Sequence, residues 1–154
     1  TSVHATGIKR RLDEQSRLVM FPEGTSTDGS YVLPFKSSLF SSVERPKNGT
    51  GPIVQPVTVA YVMINGEMAT RESRPAVAWY GDMKFAPHLW GVLQLVNISV
   101  QVTFHDPAPE AVCHSRKTLA GYCERVVIAE HAQLIARASR NQSSRPYVGD
   151  DGSV

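Results

Sequence analysis

The chain has 154 residues, of which 42% are hydrophobic and 19% charged. This is the length of one domain, and the composition excludes a chain that is disordered throughout. Lys plus Arg number 16 and Asp plus Glu number 14, which leaves a formal charge of +2. So small an excess argues against a dedicated nucleic-acid-binding protein, because such proteins carry strongly basic faces. No apolar run approaches the roughly 18 residues of a transmembrane helix.

The cysteines and histidines do not form a metal-ligand pattern. Cys113 and Cys123 lack the C-x-x-C spacing and predict two reduced thiols. The five histidines are scattered along the chain, and no two of them have the spacing of a metal-binding pair. The sequence therefore predicts no metal site.

The first part of the chain predicts a helix, a strand, a loop and a second helix. Residues 5–16 have the spacing of a short polar helix, and residues 18–21 are fully apolar, as buried strands are. Residues 22–34 are rich in Pro, Gly, Ser and Thr, which is typical of a loop. Residues 35–43 predict a helix with its apolar residues on one face.

The middle of the chain predicts two strands and a helix. Residues 53–64 form a long β-type run in which Pro56 marks an edge, a bulge or a strand start. The pair Asn65-Gly66 predicts a turn. Residues 77–80 predict a second short strand, and residues 88–96 a compact apolar helix.

The last part predicts a strand, a long helix and a tail. Residues 97–104 alternate between apolar and polar types, as in a half-exposed strand at a sheet edge. Residues 116–138 form the longest helical segment, although Glu130 and His131 interrupt its apolar stripe. Residues 143–154 predict a polar, flexible tail. This order of elements predicts an α/β fold with a mixed, mostly parallel sheet flanked by helices.

The loop after the first predicted strand is the candidate site. Glu23 and Gly24 are followed by three hydroxyl residues, and ligands in α/β proteins gather beyond the carboxyl ends of strands. Gly24 permits close approach of the backbone, and successive loop amides make an anion-binding nest. Glu23 would accept hydrogen bonds from a polyol or face a cationic partner. An ordinary turn explains the same residues equally well.

Two catalytic motifs match this loop incompletely. The spacing from Gly24 to Gly29 is that of a phosphate-binding P-loop, but Ser30 stands where lysine is required, which argues against nucleotide hydrolysis. Residues 24–28 resemble a serine nucleophile elbow, but Asp28 replaces its final glycine. A hydrolase using Ser26 is therefore a weaker alternative.

Three blocks in order resemble the glycerolipid acyltransferases, the family of 1-acylglycerol-3-phosphate acyltransferases. Residues 21–25 resemble the F-P-E-G-T block of that family, residues 33–36 its F-K segment, and residues 52–57 its next β-run with a Pro near the centre. Residues 79–82 and 88–90 are similar to bacterial members. The resemblance spans residues 18 to about 105.

The resemblance implies transfer of an acyl chain from acyl-CoA or acyl-carrier protein, as co-substrate, to a hydroxyl of a lyso-lipid, without a cofactor. The histidine of an H-x-x-x-x-D motif serves as general base in such enzymes. By the same resemblance, the F-P-E-G-T block holds the acceptor head group, and the Pro56 block belongs to the acyl side or the framework. The substrate-binding candidates are Glu23, Gly24, Thr25, Ser26, Lys36 and Pro56.

The departures from the family pattern are informative. No histidine is followed five positions later by Asp, so no catalytic residue is predicted in this chain. The family has that motif upstream of F-P-E-G-T, so residues 1–142 are predicted to be the C-terminal part of a single acyltransferase domain that is inactive alone. Ser26 and Thr27 replace the usual Arg-Ser, which removes a bidentate phosphate clamp. An acceptor with another head group, such as an acylated amino acid, is therefore an alternative.

The predicted partners are a lyso-lipid, an acyl donor and the cytoplasmic face of a bacterial membrane, with no nucleic acid. Trp79, Trp90 and Leu93 fit either the core or a membrane-facing patch, and core packing is favoured. The competing functional class is a non-catalytic module that binds a lipid head group or an anion. The oligomeric state is not predicted.

Overall fold

A computed structural model describes residues 7–8, 10–12, 14, 16–46, 49 and 51–143. Its strands are β1 (Val57–Ile64), β2 (Glu67–Met68) and β3 (Ile98–Phe104). Its α-helices after residue 16 are α1 (Phe85–Leu93), α2 (Glu110–Cys113) and α3 (Arg116–Ser143). Two 3-10 turns cover Ser37–Ser42 and Arg74–Ala76.

The sheet is antiparallel in the described part of the chain. Its order is β2-β1-β3, and both neighbours of β1 run against it. Asn65 and Gly66 have φ of +53° and +80° and form the tight turn between β1 and β2. The α/β class is confirmed. The prediction of a mostly parallel sheet is wrong, because β1 pairs with its hairpin partner β2 and with β3, and both pairings are antiparallel.

Two predicted strands are not strands. Residues 18–21 pair with no described strand, and the side chains of Val19 and Phe21 are 87% and 77% exposed. In this apolar run Met20 is partly buried against the central core cluster, but the run forms no buried strand. In the second predicted strand, residues 77–80, Val77 and Ala78 donate their backbone N–H groups to the Arg74 carbonyl, both at 3.0 Å. These amides close a helical turn, so they are not available to a β-ladder.

The other sequence-based elements are confirmed with shifted ends. β1 begins directly after the buried Pro56, as expected for a strand start. The helix predicted over 35–43 is a tight 3-10 turn, and α1 begins three residues before the predicted start. The helix predicted over 5–16 is helical at residues 7–8 and 10–12, whereas residues 5, 6, 9, 13 and 15 lie outside the described residues. Residues 144–154 of the predicted tail also lie outside them.

The core lies between α3 and the first half of the chain. Its central cluster joins the 3-10 turn to α2 and α3 and consists of Phe40, Ala108, Cys113, Leu119, Ala120 and Cys123. From β1, Thr58 and Ala60 are fully buried. The polar face of β3 lies toward the same helix, because Thr103 Oγ1 is 3.4 Å from Glu130 Oε1.

The opposite face of the sheet is open. Val59 on β1 pairs with Val102 on β3, and both side chains are about half exposed. Phe104, paired with Val57 at the end of the same face, is exposed as well. Val100, Val102 and Phe104 of β3 thus stay uncovered, whereas Ile98 is partly buried against a second small cluster that contains Ile64.

Helix α1 is also uncovered. It has no buried residue, and Trp90 and Leu93 are 66% and 68% exposed. Trp79 is half exposed and makes an edge-on contact with Phe85, with ring centroids 5.6 Å apart. The prediction that Trp79, Trp90 and Leu93 pack in the core is therefore wrong. None of the helices in the described part is long and apolar enough to cross a bilayer.

Cys113 and Cys123 are free and buried, which predicts low reactivity. Burial, with a smaller effect from Cys113, raises the pKa of the Cys123 thiol to about 11. Since the thiolate is the nucleophile, we expect iodoacetamide at pH 8 to leave both cysteines of the folded chain unmodified and to alkylate both in 6 M guanidinium. Mass spectrometry of the intact chain measures this, and rapid alkylation before unfolding would contradict it.

Candidate functional site

The candidate site is built on residues 22–36, here called the 22–36 loop. Its two ends are tied together, because the Lys36 backbone N–H donates to the Pro22 carbonyl at 2.9 Å. Gly24 has φ +72°, and a Cβ added there would lie 2.5 Å from Lys36 Nζ. The position favours glycine for its backbone conformation, and the lysine side chain uses the space that a Cβ would fill.

The Glu23 side chain fastens the two halves of the loop. Its carboxylate Oε2 accepts a hydrogen bond from the Leu33 backbone N–H at 2.6 Å. The loop is in turn anchored to α3, since Phe35 donates its backbone N–H to Glu124 Oε2 at 2.7 Å. Charge-assisted bonds of this kind are stronger than neutral ones. Glu23 therefore helps to hold the loop in one conformation, in addition to any contact that it makes with a ligand.

Two hydroxyls of the loop are used for its own structure. Ser26 donates to the Trp79 carbonyl at 2.6 Å, and Thr27 to the Tyr31 carbonyl at 3.0 Å. Among the described residues no histidine nitrogen bonds to the Ser26 hydroxyl. Ser26 accordingly lacks the adjacent base that a serine nucleophile needs, which counts against the hydrolase alternative.

Five of the six predicted site residues are brought together, and one is not. Gly24, Thr25 and Ser26 are exposed at the tip of the loop, with Lys36 over Gly24 and Glu23 behind them. Pro56 lies elsewhere, buried at the start of β1, where its carbonyl accepts a hydrogen bond from the backbone N–H of His105 at 3.1 Å. Its position fits the framework of the sheet. The substrate-binding roles of all six remain predictions.

Sequence reasoning missed two residues that pack behind the loop. Arg74 is only 3% exposed and donates from Nη2 to the Ala69 carbonyl at 2.7 Å. A Cβ added at Gly29 would lie 3.7 Å from Arg74 Cδ, so the arginine stem packs directly on the loop. His131, buried on α3, hydrogen-bonds the Gly29 backbone. The available signal was the polar interruption of the apolar stripe of α3 at His131.

Electrostatics couples these groups. Burial lowers the pKa of Arg74, while the charges of Asp28 and Glu72 act in the opposite direction. Burial also lowers the pKa of His131, and the charge of Arg74 lowers it further. The Gly29 hydrogen bond and the charge of Glu23 oppose those two effects. The imidazole is therefore neutral at neutral pH, beside a buried cation.

The lowered pKa of His131 predicts a pH-dependent stability. Its folded pKa lies below its unfolded value of about 6.5, so the unfolded state binds more protons in that range. The stabilisation is complete above pH 7 and is lost as the pH falls below about 6.5, by at most about 1.4 kcal/mol per pH unit. We expect His131→Gln to flatten this slope in urea unfolding between pH 7 and 5. An unchanged slope would contradict it.

The described histidines do not form a catalytic pair with a carboxylate. His105 Nε2 is 2.8 Å from Thr58 Oγ1, and His114 Nδ1 is 3.4 Å from the Arg45 carbonyl. Within the described residues the ion pair found is Arg10–Glu14, at 4.0 Å, and it involves no histidine. Within the described residues, the candidate site is thus a loop without a base–carboxylate pair beside it.

Comparison with known proteins agrees with the family that the F-P-E-G-T block of the loop predicts. A family model described as Acyltransferase matches residues 2–60. A lyso-ornithine lipid O-acyltransferase of Brucella abortus is 39% identical over 132 residues, which are 83% of this chain and 49% of the relative. A protein of the same name from Rhizobium meliloti is 33% identical over 153 residues, 97% of this chain and 51% of the relative. A 1-acyl-sn-glycerol-3-phosphate acyltransferase of Neisseria gonorrhoeae is 28% identical over 126 residues, 80% of this chain and 46% of the relative.

All of these matches are to acyltransferases, and the relatives are named for lipid acceptors. Within that class they assign the chain to the glycerolipid acyltransferase family, as the F-P-E-G-T block predicts, and the relatives named are bacterial. The chain spans about half the length of the curated relatives it matches. A comparison with solved structures found no significant match.

Proposed function

We propose that this chain supplies the acceptor-binding half of an enzyme that transfers an acyl group to the hydroxyl of a lyso-lipid. The observation that carries the proposal is the 22–36 loop, which holds the F-P-E-G-T residues in one fixed arrangement. Exposed backbone and hydroxyl groups at its tip are suited to polar groups of the acceptor, and Lys36 supplies a positive charge beside them.

The acceptor is a lyso-lipid with an acylated amino-acid head group, in preference to a phosphate head group. Ser26 and Thr27 stand where the common block has Arg-Ser, so the loop lacks a bidentate clamp for phosphate. The relatives named lyso-ornithine lipid O-acyltransferase are 33–39% identical, against 28% for those named for 1-acyl-sn-glycerol-3-phosphate. Both observations support the same acceptor.

The reaction is direct attack on a thioester. A histidine of an H-x-x-x-x-D motif outside this chain takes the proton as the acceptor hydroxyl attacks the acyl carbonyl. The acyl–oxygen ester bond forms, the acyl–sulfur bond breaks, and the thiol of CoA or acyl-carrier protein leaves with a proton. The residues of this chain bind and orient the acceptor, and Glu23 keeps the loop in its binding shape.

The test compares acceptors on a protein extended to the length of the relatives. Purified enzyme is given acyl-CoA or acyl-carrier protein with either lyso-ornithine lipid or 1-acylglycerol-3-phosphate, and thiol release and ester product are measured. We expect the lyso-ornithine lipid to be favoured at least about tenfold in kcat/KM. Equal use of both acceptors would overturn the acceptor assignment. Thiol release by the 154-residue chain alone, above a denatured control, would overturn the proposal that the general base lies outside this chain.

Helix α1 contacts the membrane interface in this proposal. Residues 85–93 carry no Asp, Glu, Lys or Arg, and the helix exposes Trp90 and Leu93. A nine-residue helix is too short to span a bilayer, and exposed Trp and Leu side chains favour the interface. Such a contact would hold the 22–36 loop near its lipid substrate, because Ser26 bonds to Trp79, which packs on the first residue of α1.

We expect Trp90→Ser with Leu93→Ser to weaken binding to phosphatidylglycerol–phosphatidylethanolamine vesicles at least about tenfold, because two apolar side chains lose their burial in lipid. Co-sedimentation measures the bound fraction. The matched control is Val59→Ser with Val102→Ser, two half-exposed apolar residues on the open sheet face. Equal losses in the two double variants would contradict a specific role for α1.

A further inference from the structure

A pocket of about 610 Å³ opens beside the 22–36 loop, and no candidate site residue lines it. Its walls come from the second half of the loop, from residues 70–74 and from α3, and its lining carries four charged side chains, Asp28, Arg71, Glu72 and Arg74. The volume is within the range of small-ligand sites. The pocket adjoins the acceptor loop, because Asp28 and Ser30 belong to both.

Two residues that line this pocket each carry a buried polar atom without a partner. Arg74 Nε and Ser30 Oγ lie beneath the surface of the pocket, and neither makes a hydrogen bond. Leaving a buried donor unsatisfied is costly, and more so on a charged group. The Arg74 side chain is held in place by its bond from Nη2 to the Ala69 carbonyl. The guanidinium is thus fixed in the wall of the pocket with a buried, unused N–H, which an anion that entered this wall would satisfy.

Two acidic residues, Asp28 and Glu72, line the same pocket. Asp28 is half-buried, and its Oδ1 accepts the Ser30 backbone N–H at 2.9 Å, so its position is also fixed, whereas Glu72 is exposed. The charges of both carboxylates act on Arg74, but among the described residues an ion pair within 4.0 Å is found for Arg10–Glu14 and not for Arg74. Arg74 and Asp28 are therefore held in one cavity without direct contact between their charged groups.

We propose that this pocket binds the zwitterionic head group of an acylated diamino acid, with Arg74 Nε and Ser30 Oγ donating to its carboxylate and Asp28 accepting from its ammonium group. The choice of ligand rests on the proposed function. Ornithine has two amines and one carboxyl group, so acylation of one amine leaves one charge of each sign. A phosphate monoester supplies no cation for Asp28, which would repel it. The pocket thereby replaces the missing arginine clamp as the determinant of acceptor choice.

The test measures binding to the 154-residue chain by calorimetry with three soluble probes. N-octanoyl-ornithine carries both charges, N-octanoyl-norvaline is the same molecule without the side-chain ammonium, and octyl phosphate carries the phosphate. We expect N-octanoyl-ornithine to bind at least about tenfold more tightly than either of the others. Equal or tighter binding of octyl phosphate would overturn the proposal.

Three variants locate the interaction. Arg74→Gln should weaken the binding of N-octanoyl-ornithine at least about tenfold, and Ser30→Ala should weaken it about threefold to tenfold. Ser30→Ala removes a hydroxyl that bonds to nothing, so it keeps the proposal testable if Arg74→Gln does not fold. Asp28→Asn should weaken the binding of N-octanoyl-ornithine, whereas the binding of N-octanoyl-norvaline should stay the same or become tighter. Arg116→Gln, an exposed arginine outside the pocket, is the control and should change nothing.

The outcomes separate this inference from the proposed function. Tight binding that depends on Arg74 and Asp28, with no acyl transfer by the extended enzyme, would support the pocket and overturn the function. Acyl transfer to lyso-ornithine lipid that is insensitive to Ser30→Ala and Asp28→Asn, with binding unaffected, would support the function and overturn the pocket.

Discussion

Glu23→Ala in the extended enzyme is expected to lower kcat/KM at least about 100-fold. The carboxylate bond to the Leu33 backbone N–H, at 2.6 Å, joins the two halves of the 22–36 loop. Without it the N–H loses its partner, and the exposed tip at Gly24–Ser26 is no longer held in one shape. Displacement of a substrate-positioning group by about 1 Å costs on the order of 10²-fold in rate.

Two further variants separate the causes. Glu23→Gln keeps an oxygen that accepts from Leu33, so we expect a loss within about tenfold if shape is the main requirement. Glu67→Ala removes an exposed carboxylate from β2 and should leave the rate unchanged. Steady-state kinetics with acyl-CoA and lyso-ornithine lipid, together with circular dichroism to verify folding, measures these effects. Wild-type activity of Glu23→Ala would refute the role of the loop.

Leu119→Ala should destabilise the chain by about 2–5 kcal/mol. Leu119 is fully buried near the start of α3, in the cluster that joins this helix to Phe40 and Cys113. Truncation removes apolar contacts and leaves a cavity, and both effects lower the free energy of unfolding. Since α3 carries Glu124 and His131 to the 22–36 loop, loss of this packing also loosens the candidate site.

The matched control for this prediction is Leu93→Ala. The same chemical change is made at a side chain that is 68% exposed at the end of α1, so the free energy of unfolding should change by less than about 0.5 kcal/mol. Urea titrations followed by circular dichroism give both values. Equal effects of the two substitutions would show that the cluster around Leu119 is not the stabilising core.

Local signals predicted the parts of the fold that depend on local conformation. Pro56 indicated an edge, a bulge or a strand start because a proline cannot donate to the ladder, and the strand start is what the structure has. Asn65-Gly66 predicted the hairpin turn because both residues accept positive φ. The 22–36 loop and the family were likewise predictable, since the F-P-E-G-T residues are contiguous. Predictions failed where a run of apolar residues was taken as a strand, at 18–21 and 77–80.

The pairing of distant residues was not predictable in the same way. Phe35 bonds to a carboxylate 89 positions away, and Ser26 to a carbonyl 53 positions away. Arg74 follows β2 in a polar run, residues 70–74, whose composition is typical of an exposed loop. Only its packing against Gly29 makes it a buried cation beside the 22–36 loop. No spacing in the chain indicates such contacts, because they depend on how separate elements meet.

The sequence by itself determined the chemistry of the loop, the turn between β1 and β2 and membership of the acyltransferase family, because each depends on neighbouring residues and their backbone preferences. The tertiary structure alone decided that the sheet is antiparallel, that α1 and one sheet face stay exposed, and that Arg74 and His131 lie behind the loop. Burial and pairing are properties of the whole chain, since they depend on which surfaces remain to cover one another once every element has formed.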